Sequence, residues 1–150
     1  MDMTGEQLIP LPQADTWKAL NDIDVLKASI PGCESIERVS DTEFSVAMTA
    51  KVGPVSAKFK GKMVLSDLDP PNGYSIAFEG QGGVAGFAKG EARVTLAPDA
   101  NQTKLSYSAK ATVGGKLAQI GSRLIDGAAR KTAEQFFTAF NAHVSGPAKS

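Results

Sequence analysis

The sequence has one cysteine, one histidine and no excess of either charge; among its 150 residues, 16 Lys and Arg balance 16 Asp and Glu. Each shortage removes a class of function. A lone Cys33 can neither close an internal disulfide nor hold an iron–sulfur cluster. Without a histidine near it in the sequence to activate it, it reads as an inert, partly buried thiol rather than a nucleophile. A lone His143 leaves a catalytic triad, a histidine-based metal site or a zinc deaminase site short of partners, so no catalytic and no metal-ligating residue is assigned. Its place near the end of the last helical segment suits a charge at a helix C-terminus. Zero net charge disfavours nucleic-acid binding, which needs a basic excess to neutralise phosphates. No run of about 18 apolar residues is present to span a bilayer. No apolar segment followed by a small-residue cleavage site opens the chain, and the expected location is the cytoplasm.

What is present changes period twice. Residues 4–9 read as a strand that Pro10 and Pro12 stop, because proline cannot donate to a ladder. Two short helices follow: one opens at Asp15 or the preceding Gln-Ala pair and carries Trp17 and Leu20. The other starts at Asp22, runs through Leu26 and Ile30, and ends at Pro31-Gly32. Residues 33–113 then alternate in short runs broken by Ser40-Asp41, Gly53-Pro54, Pro70-Pro71-Asn72-Gly73, Gly82-Gly83 and Pro98-Asp99-Ala100-Asn101, turn signals at strand spacing. After Gly114-Gly115 the apolar residues Leu117, Ile120, Leu124, Ala128, Phe136, Phe140 and Val144 recur at helical spacing. They predict one helix of about 25 to 30 residues, stopped by Gly146-Pro147. The order predicts an α+β fold in one domain over residues 1–150: a curved antiparallel sheet of about seven strands wrapped around a long C-terminal helix, with two short helices after the first strand.

Reading each strand at period two gives an inner face whose middle is small: Gly61, Gly80, Ala88, Gly90, Ala92, Ala109 and Ala111. The facing helix offers Gly121, Gly127, Ala128 and Ala129, small as well. Interiors pack to crystal-like density, so either the helix seats deeply or a gap remains, plugged at one end by Phe136, Phe137 and Phe140. Both readings stand at this point. If a gap remains, its apolar walls are Phe59, Phe78, Phe87, Tyr107, Leu117, Ile120 and Leu124, with Phe87 placed as a gate and Tyr74, Tyr107 or Gln119 available for polar selection. In the other reading the small residues permit close helix-on-sheet contact and strongly bent strands, glycine is a structural device, and the interior is solid.

Two further segments have plain readings. The glycine-rich run from Gly80 to Gly90 joins two strand patterns and lacks the Gly-Lys-Ser/Thr ending of a phosphate loop, so it reads as a flexible hairpin. Lys58, Lys60 and Lys62 alternate on the outward side of one strand, with Lys51, Lys89 and Lys110 nearby in pattern. Such a stripe is ordinarily a solvated face that discourages edge aggregation, and it is also the surface an acidic partner or anionic lipid would use.

The most specific segments are Ile30-Pro31-Gly32-Cys33-Glu34, Lys51-Val52-Gly53-Pro54-Val55, Phe59-Lys60-Gly61-Lys62, Gly86-Phe87-Ala88-Lys89-Gly90 and the stretch from Val113 to Ile125. Through these, over nearly its whole length, the chain resembles the CoxG subunit family of carbon monoxide dehydrogenase, of the helix-grip superfamily related to START lipid-transfer domains and plant pollen allergens. The resemblance implies the helix-grip fold and a hydrophobic cavity. It further implies a non-catalytic accessory protein of a molybdenum hydroxylase, carrying a quinone or lipid and touching the inner membrane face peripherally, with no covalent cofactor. The alternative it leaves open is an assembly or membrane-recruitment factor that acts by protein contact and needs no ligand. An enzyme on this fold is a third reading, and no convergent acid–base cluster in the sequence speaks for it.

Overall fold

The computed structural model describes residues 1–145, so the helix stop expected at Gly146-Pro147 lies outside the described residues. Strand β1, Asp2–Ile9, starts two residues earlier than its sequence pattern suggests. It ends at the prolines and gives way to α1, Gln13–Leu20, and α2, Ile23–Ser29. The second helix is capped as its sequence indicates: the Asp22 carboxylate accepts from the Asp24 and Val25 amides at 2.9 and 3.4 Å, satisfying donors that the first turn leaves without partners.

Six strands follow: β2 (Cys33–Arg38), β3 (Glu43–Val52), β4 (Val55–Asp69), β5 (Gly73–Gln81), β6 (Phe87–Asp99) and β7 (Gln102–Gly114). All are antiparallel in one seven-stranded sheet of order β1-β7-β6-β5-β4-β3-β2. Hairpins make every neighbour except one: β1 closes onto β7, pairing Ile9 with Thr103 and Asp2 with Lys110. The glycine-rich run is a hairpin between β5 and β6 with one 3-10 turn, Gly83–Ala85.

The single long helix of the sequence pattern is divided. A short helix α3, Lys116–Gln119, precedes α4, Ser122–Ser145, and Gly121 between them has φ +103°. That backbone conformation belongs to glycine, so the apolar spacing runs through a break that it does not reveal. Leu117 and Ile120 consequently lie outside α4.

The core occupies one end of the sheet. Ile9, Phe44, Leu96, Leu105 and Phe140 are at most 4 % exposed and are joined by Leu20, Val25, Leu26, Ile36, Leu65, Tyr74, Val94 and Phe137. Each such side chain contributes about 1.5–3 kcal/mol on burial. Trp17 meets Tyr74 edge to face at 5.3 Å, and Phe136 stacks on Phe140 at 5.8 Å. Two buried hydroxyls join β7 to the chain entering α1: Thr16 Oγ1 lies 3.0 Å from Thr103 Oγ1, which donates to the Leu11 carbonyl at 2.7 Å. This is the closed end. Helix α4 packs mainly on α2 and touches the sheet at β1 and β3.

Candidate functional site

Toward the other end the inner face is incompletely covered. Val46, Met48, Met63, Ile76, Phe78, Ala92, Ala109 and Ala111 point inward by strand alternation, yet each remains only half-buried. The front of α4 explains this. A Cβ built on Gly121 or Gly127 meets no atom within 4 Å, and Leu124 is 52 % exposed. The first two turns of α4 therefore stand clear of the sheet centre.

The small residues of the inner face do two separate jobs. At Gly61 and Gly90 the backbone of the neighbouring strand passes so close that a Cβ would collide with the Glu79 and Lys110 carbonyls; these glycines permit tight strand approach. At Gly80 the nearest atom to a built Cβ is Phe59 Cβ at 4.0 Å. That glycine opens onto free space.

The aromatic residues named from sequence lie down on the sheet instead of projecting from it. The Phe59 ring covers Gly82, Phe78 covers its cross-strand partner Gly90, Phe87 covers its partner Gly114, and Tyr107 covers its partner Gly5. Rings over glycine shield backbone that has no side chain of its own. Phe59, Phe78 and Tyr107 share the inner face, and Tyr107 stacks on Phe137 at 5.8 Å. Phe87 does not join them. Alternation along β6 sends it to the side opposite Ala88 and Gly90, which corrects its placement as a wall or gate of an inner space.

The remaining three candidates gather at the open end. Leu117 is buried under the β5–β6 turn region, whereas Ile120 is half-buried. Ile120 Cγ2 and Leu124 Cδ1 lie 3.5 and 3.7 Å from a Cβ built on Gly53, at the tip of the β3–β4 hairpin. That hairpin tip, α3 and the start of α4 thus form one rim. Sequence reasoning missed the rim residue Val84, which is 86 % exposed beside the buried Ala85; an isolated valine among glycines in a turn was its only signal.

Of the polar candidates, Tyr74 belongs to the closed-end core, where burial pushes its hydroxyl far above the ordinary tyrosine range. Gln119 is exposed, and Tyr107 is half-buried with its ring over Gly5. Burial also pushes the Cys33 thiol up, against the opposing pull of Lys27, so the thiolate is disfavoured. Among the described residues no group of three or more His, Cys, Asp or Glu is placed to hold a metal ion. Nor is any helix there long and apolar enough to cross a membrane.

Two open depressions of about 520 and 450 Å³ are present, the larger bordered also by Met1, Asp2, Phe78, Gly90, Ala111 and Thr112. The larger is edged by the outward charges Glu79, Lys89, Glu91 and Lys110, the smaller by polar and small residues of α4. In the lysine stripe, Lys58 pairs with Glu34 at 3.5 Å and Lys62 with Glu79 at 3.7 Å. Exposed pairs of this kind contribute about 0–1 kcal/mol.

Comparison with known proteins agrees with this architecture. A conserved protein from Geobacillus kaustophilus superposes with a TM-score of 0.91 at 27 % identity, over 97 % of this chain and 95 % of that one. A START superfamily protein from Mycobacterium smegmatis superposes with a TM-score of 0.72 at 13 % identity, over 95 % and 96 % of the two chains. The Zhui aromatase/cyclase from Streptomyces sp. R1128 has a TM-score of 0.68 at 13 % identity, over 95 % and 92 %. The last two likenesses establish the fold alone. No curated protein matches the sequence. The family model for the CoxG subunit of carbon monoxide dehydrogenase matches residues 5–145, and the chain belongs to that family.

Proposed function

We propose that this chain is a non-catalytic accessory protein of a carbon monoxide dehydrogenase-type molybdenum hydroxylase, and that it holds a hydrophobic ligand, a quinone or lipid, between the inner sheet face and the front of α4. Family membership supports the accessory role. The observation that carries the ligand reading is the half-buried apolar inner face beneath a helix whose first two turns stand away from it. Apolar surface left unpacked between two layers forfeits dispersion contacts as well as burial, and an apolar guest restores both. Phe59, Phe78 and Tyr107 would form the floor, with Leu117, Ile120 and Leu124 toward the mouth. Phe87 would act only from behind, by shielding Gly114.

An assembly factor docking through Lys58, Lys60 and Lys62 has less support, because carboxylates of this same chain already sit against two of the three lysines. The two readings separate in native mass spectrometry of the protein with a panel of quinones and fatty acids. Gly80→Ile adds a branched side chain where there is room and projects it into the proposed space. The expected result is binding by wild type that weakens about tenfold or more in Gly80→Ile, since about 1.4 kcal/mol of lost contact is a factor of ten. A folded wild-type protein that takes up none of the panel, yet co-purifies with a molybdenum hydroxylase, would transfer the function to protein contact.

A further inference from the structure

Polar side chains are few on the inner face. Tyr74 lies in the closed-end core, and Thr103 donates to the Leu11 carbonyl. Gln7 and Tyr107 differ from both. Along β1 the outward Asp2, Thr4, Glu6 and Leu8 are exposed, whereas Met3, Gly5, Gln7 and Ile9 alternate with them toward the interior. Gln7 is half-buried there, opposite its cross-strand partner Leu105. Tyr107 reaches across from β7, and its hydroxyl lies over Gly5, the next inward position of β1. Same-face positions two residues apart on a strand are separated by about 7 Å, so the two side chains are within reach of one head group. Around them Ser106 donates to Glu6, Asn141 to the Leu8 carbonyl and Thr103 to the Leu11 carbonyl, but among the described residues neither the Gln7 carboxamide nor the Tyr107 hydroxyl has a hydrogen-bond partner. Nor is either sealed off: the fully buried side-chain polar atom that lacks a partner is Asn141 Oδ1.

These two groups set the chemistry of what they can hold. Both are uncharged; the phenol hydroxyl and the carboxamide N–H donate, and the carboxamide oxygen accepts. Inward positions of β1 and of β3 through β7 carry no lysine or arginine. Arg38 is held at the closed end by the Asn21 and Asp41 carbonyls, and Arg123, Arg130 and Lys131 of α4 are exposed. A carboxylate in this corner would lose water without gaining a cation. A carbonyl oxygen is far less costly to desolvate and accepts from either group. Leucine in place of Gln7 would extend the apolar contact around Leu105, so the carboxamide forgoes packing in the unliganded fold.

We propose that Gln7 and Tyr107 are the polar subsite of the ligand space: they donate to the carbonyl oxygen of an uncharged head group, quinone or ester, while the apolar tail runs toward Ile120 and Leu124 at the mouth. The inference rests on the ligand reading and adds to it the direction in which the guest lies and the exclusion of fatty-acid anions.

Equilibrium binding by the full chain tests the subsite, with decylubiquinone, methyl palmitate, palmitate and hexadecane offered to wild type, Gln7→Leu and Tyr107→Phe. Tyr107→Phe removes the hydroxyl but keeps the ring that covers Gly5 and stacks on Phe137. Each variant is expected to weaken the carbonyl ligand that wild type prefers by about fivefold and to leave hexadecane unchanged; the preferred ligand tells quinone from ester. Palmitate should bind more weakly than its methyl ester. Without ligand, Gln7→Leu should melt no lower than wild type, so lost binding with retained stability separates a ligand contact from a structural role. Isotope-edited infrared spectra should show the carbonyl stretch of the bound ligand lowered by hydrogen bonding in wild type and raised again in each variant. Unchanged carbonyl affinity in both variants, while Gly80→Ile weakens carbonyl ligand and hexadecane alike, overturns the subsite and leaves the ligand reading standing. Palmitate bound more tightly than its methyl ester also overturns it, because a cation would then face the head group. Wild type that binds none of the four overturns both readings.

Discussion

At the scale of single residues, the polar groups have settled mostly into structural roles. Tyr74 is the clearest case, because its ring fills the core against Trp17 while burial raises its hydroxyl far above its ordinary value. The sign of the consequence follows from which state loses its proton first. Below about pH 10 the hydroxyl is neutral in both folded and unfolded chains and contributes no pH dependence. Above that value the unfolded chain ionises and the folded chain does not, so stability falls by up to about 1.4 kcal/mol per pH unit from this group. Urea unfolding of wild type and Tyr74→Phe from pH 8 to 11 should therefore give curves that run parallel at first and diverge above about pH 10, with the phenylalanine variant declining less. Parallel curves throughout would mean that Tyr74 reaches water in the folded state.

At the scale of elements, glycine decides how the sheet bends and where it stays open. Gly61 and Gly80 face each other across β4 and β5, yet a side chain would meet opposite fates at the two positions. A methyl on Gly61 runs into the Glu79 carbonyl and the Gly80 backbone, neither of which can move without breaking the ladder. Gly61→Ala should cost about 1–3 kcal/mol, whereas Gly80→Ala should gain about 0.5–1 kcal/mol from reduced backbone entropy in the unfolded state. Thermal melts of the two variants check this pair, and equal shifts would show that the strands are not held as close as described. From sequence alone the two glycines read alike, because both fall on the inner face at period two. Only the approach of the strands in space shows which one lies against backbone. The covering of Gly5, Gly90 and Gly114 by Tyr107, Phe78 and Phe87 was hidden for the same reason: it depends on partners far away in the chain.

The helical elements show the complementary case. The spacing of Leu117, Ile120 and Leu124 fits one continuous helix, and the apolar pattern alone does not register a break in the backbone. Gly121 interrupts it with a left-handed residue, which turns α3 under the β5–β6 turn and lets α4 start in a new direction. Strand number, the antiparallel order and the two short helices were legible because alternation, prolines and the Asp22 cap are local signals. The face occupied by Phe87 was legible too, since it precedes the inward Ala88 by one residue. Its hydrophobicity drew it to the wrong side.

At the scale of the whole molecule, packing divides along one axis, with a closed end and an open one. The closed end holds the fully buried aliphatic and aromatic side chains and the Thr16–Thr103 hydroxyl pair. The open end is hairpin tips, one 3-10 turn and a four-residue helix. Regions with few buried apolar contacts open locally at a small fraction of the global unfolding free energy, so amide hydrogen exchange should be graded along this axis. Amides of β6 and β7 around Leu96 and Leu105 should exchange at the slow, global limit, and those at residues 52–55, 82–86 and 116–121 should exchange far faster. Adding a quinone that binds between the layers should slow exchange at the open end by about the factor 1 + [L]/Kd, and should leave the closed end slowed only through global stability. Uniform exchange along the axis would remove the basis for a separate, openable mouth, because the helix front and the hairpin tips would then belong to the same cooperative unit as the core.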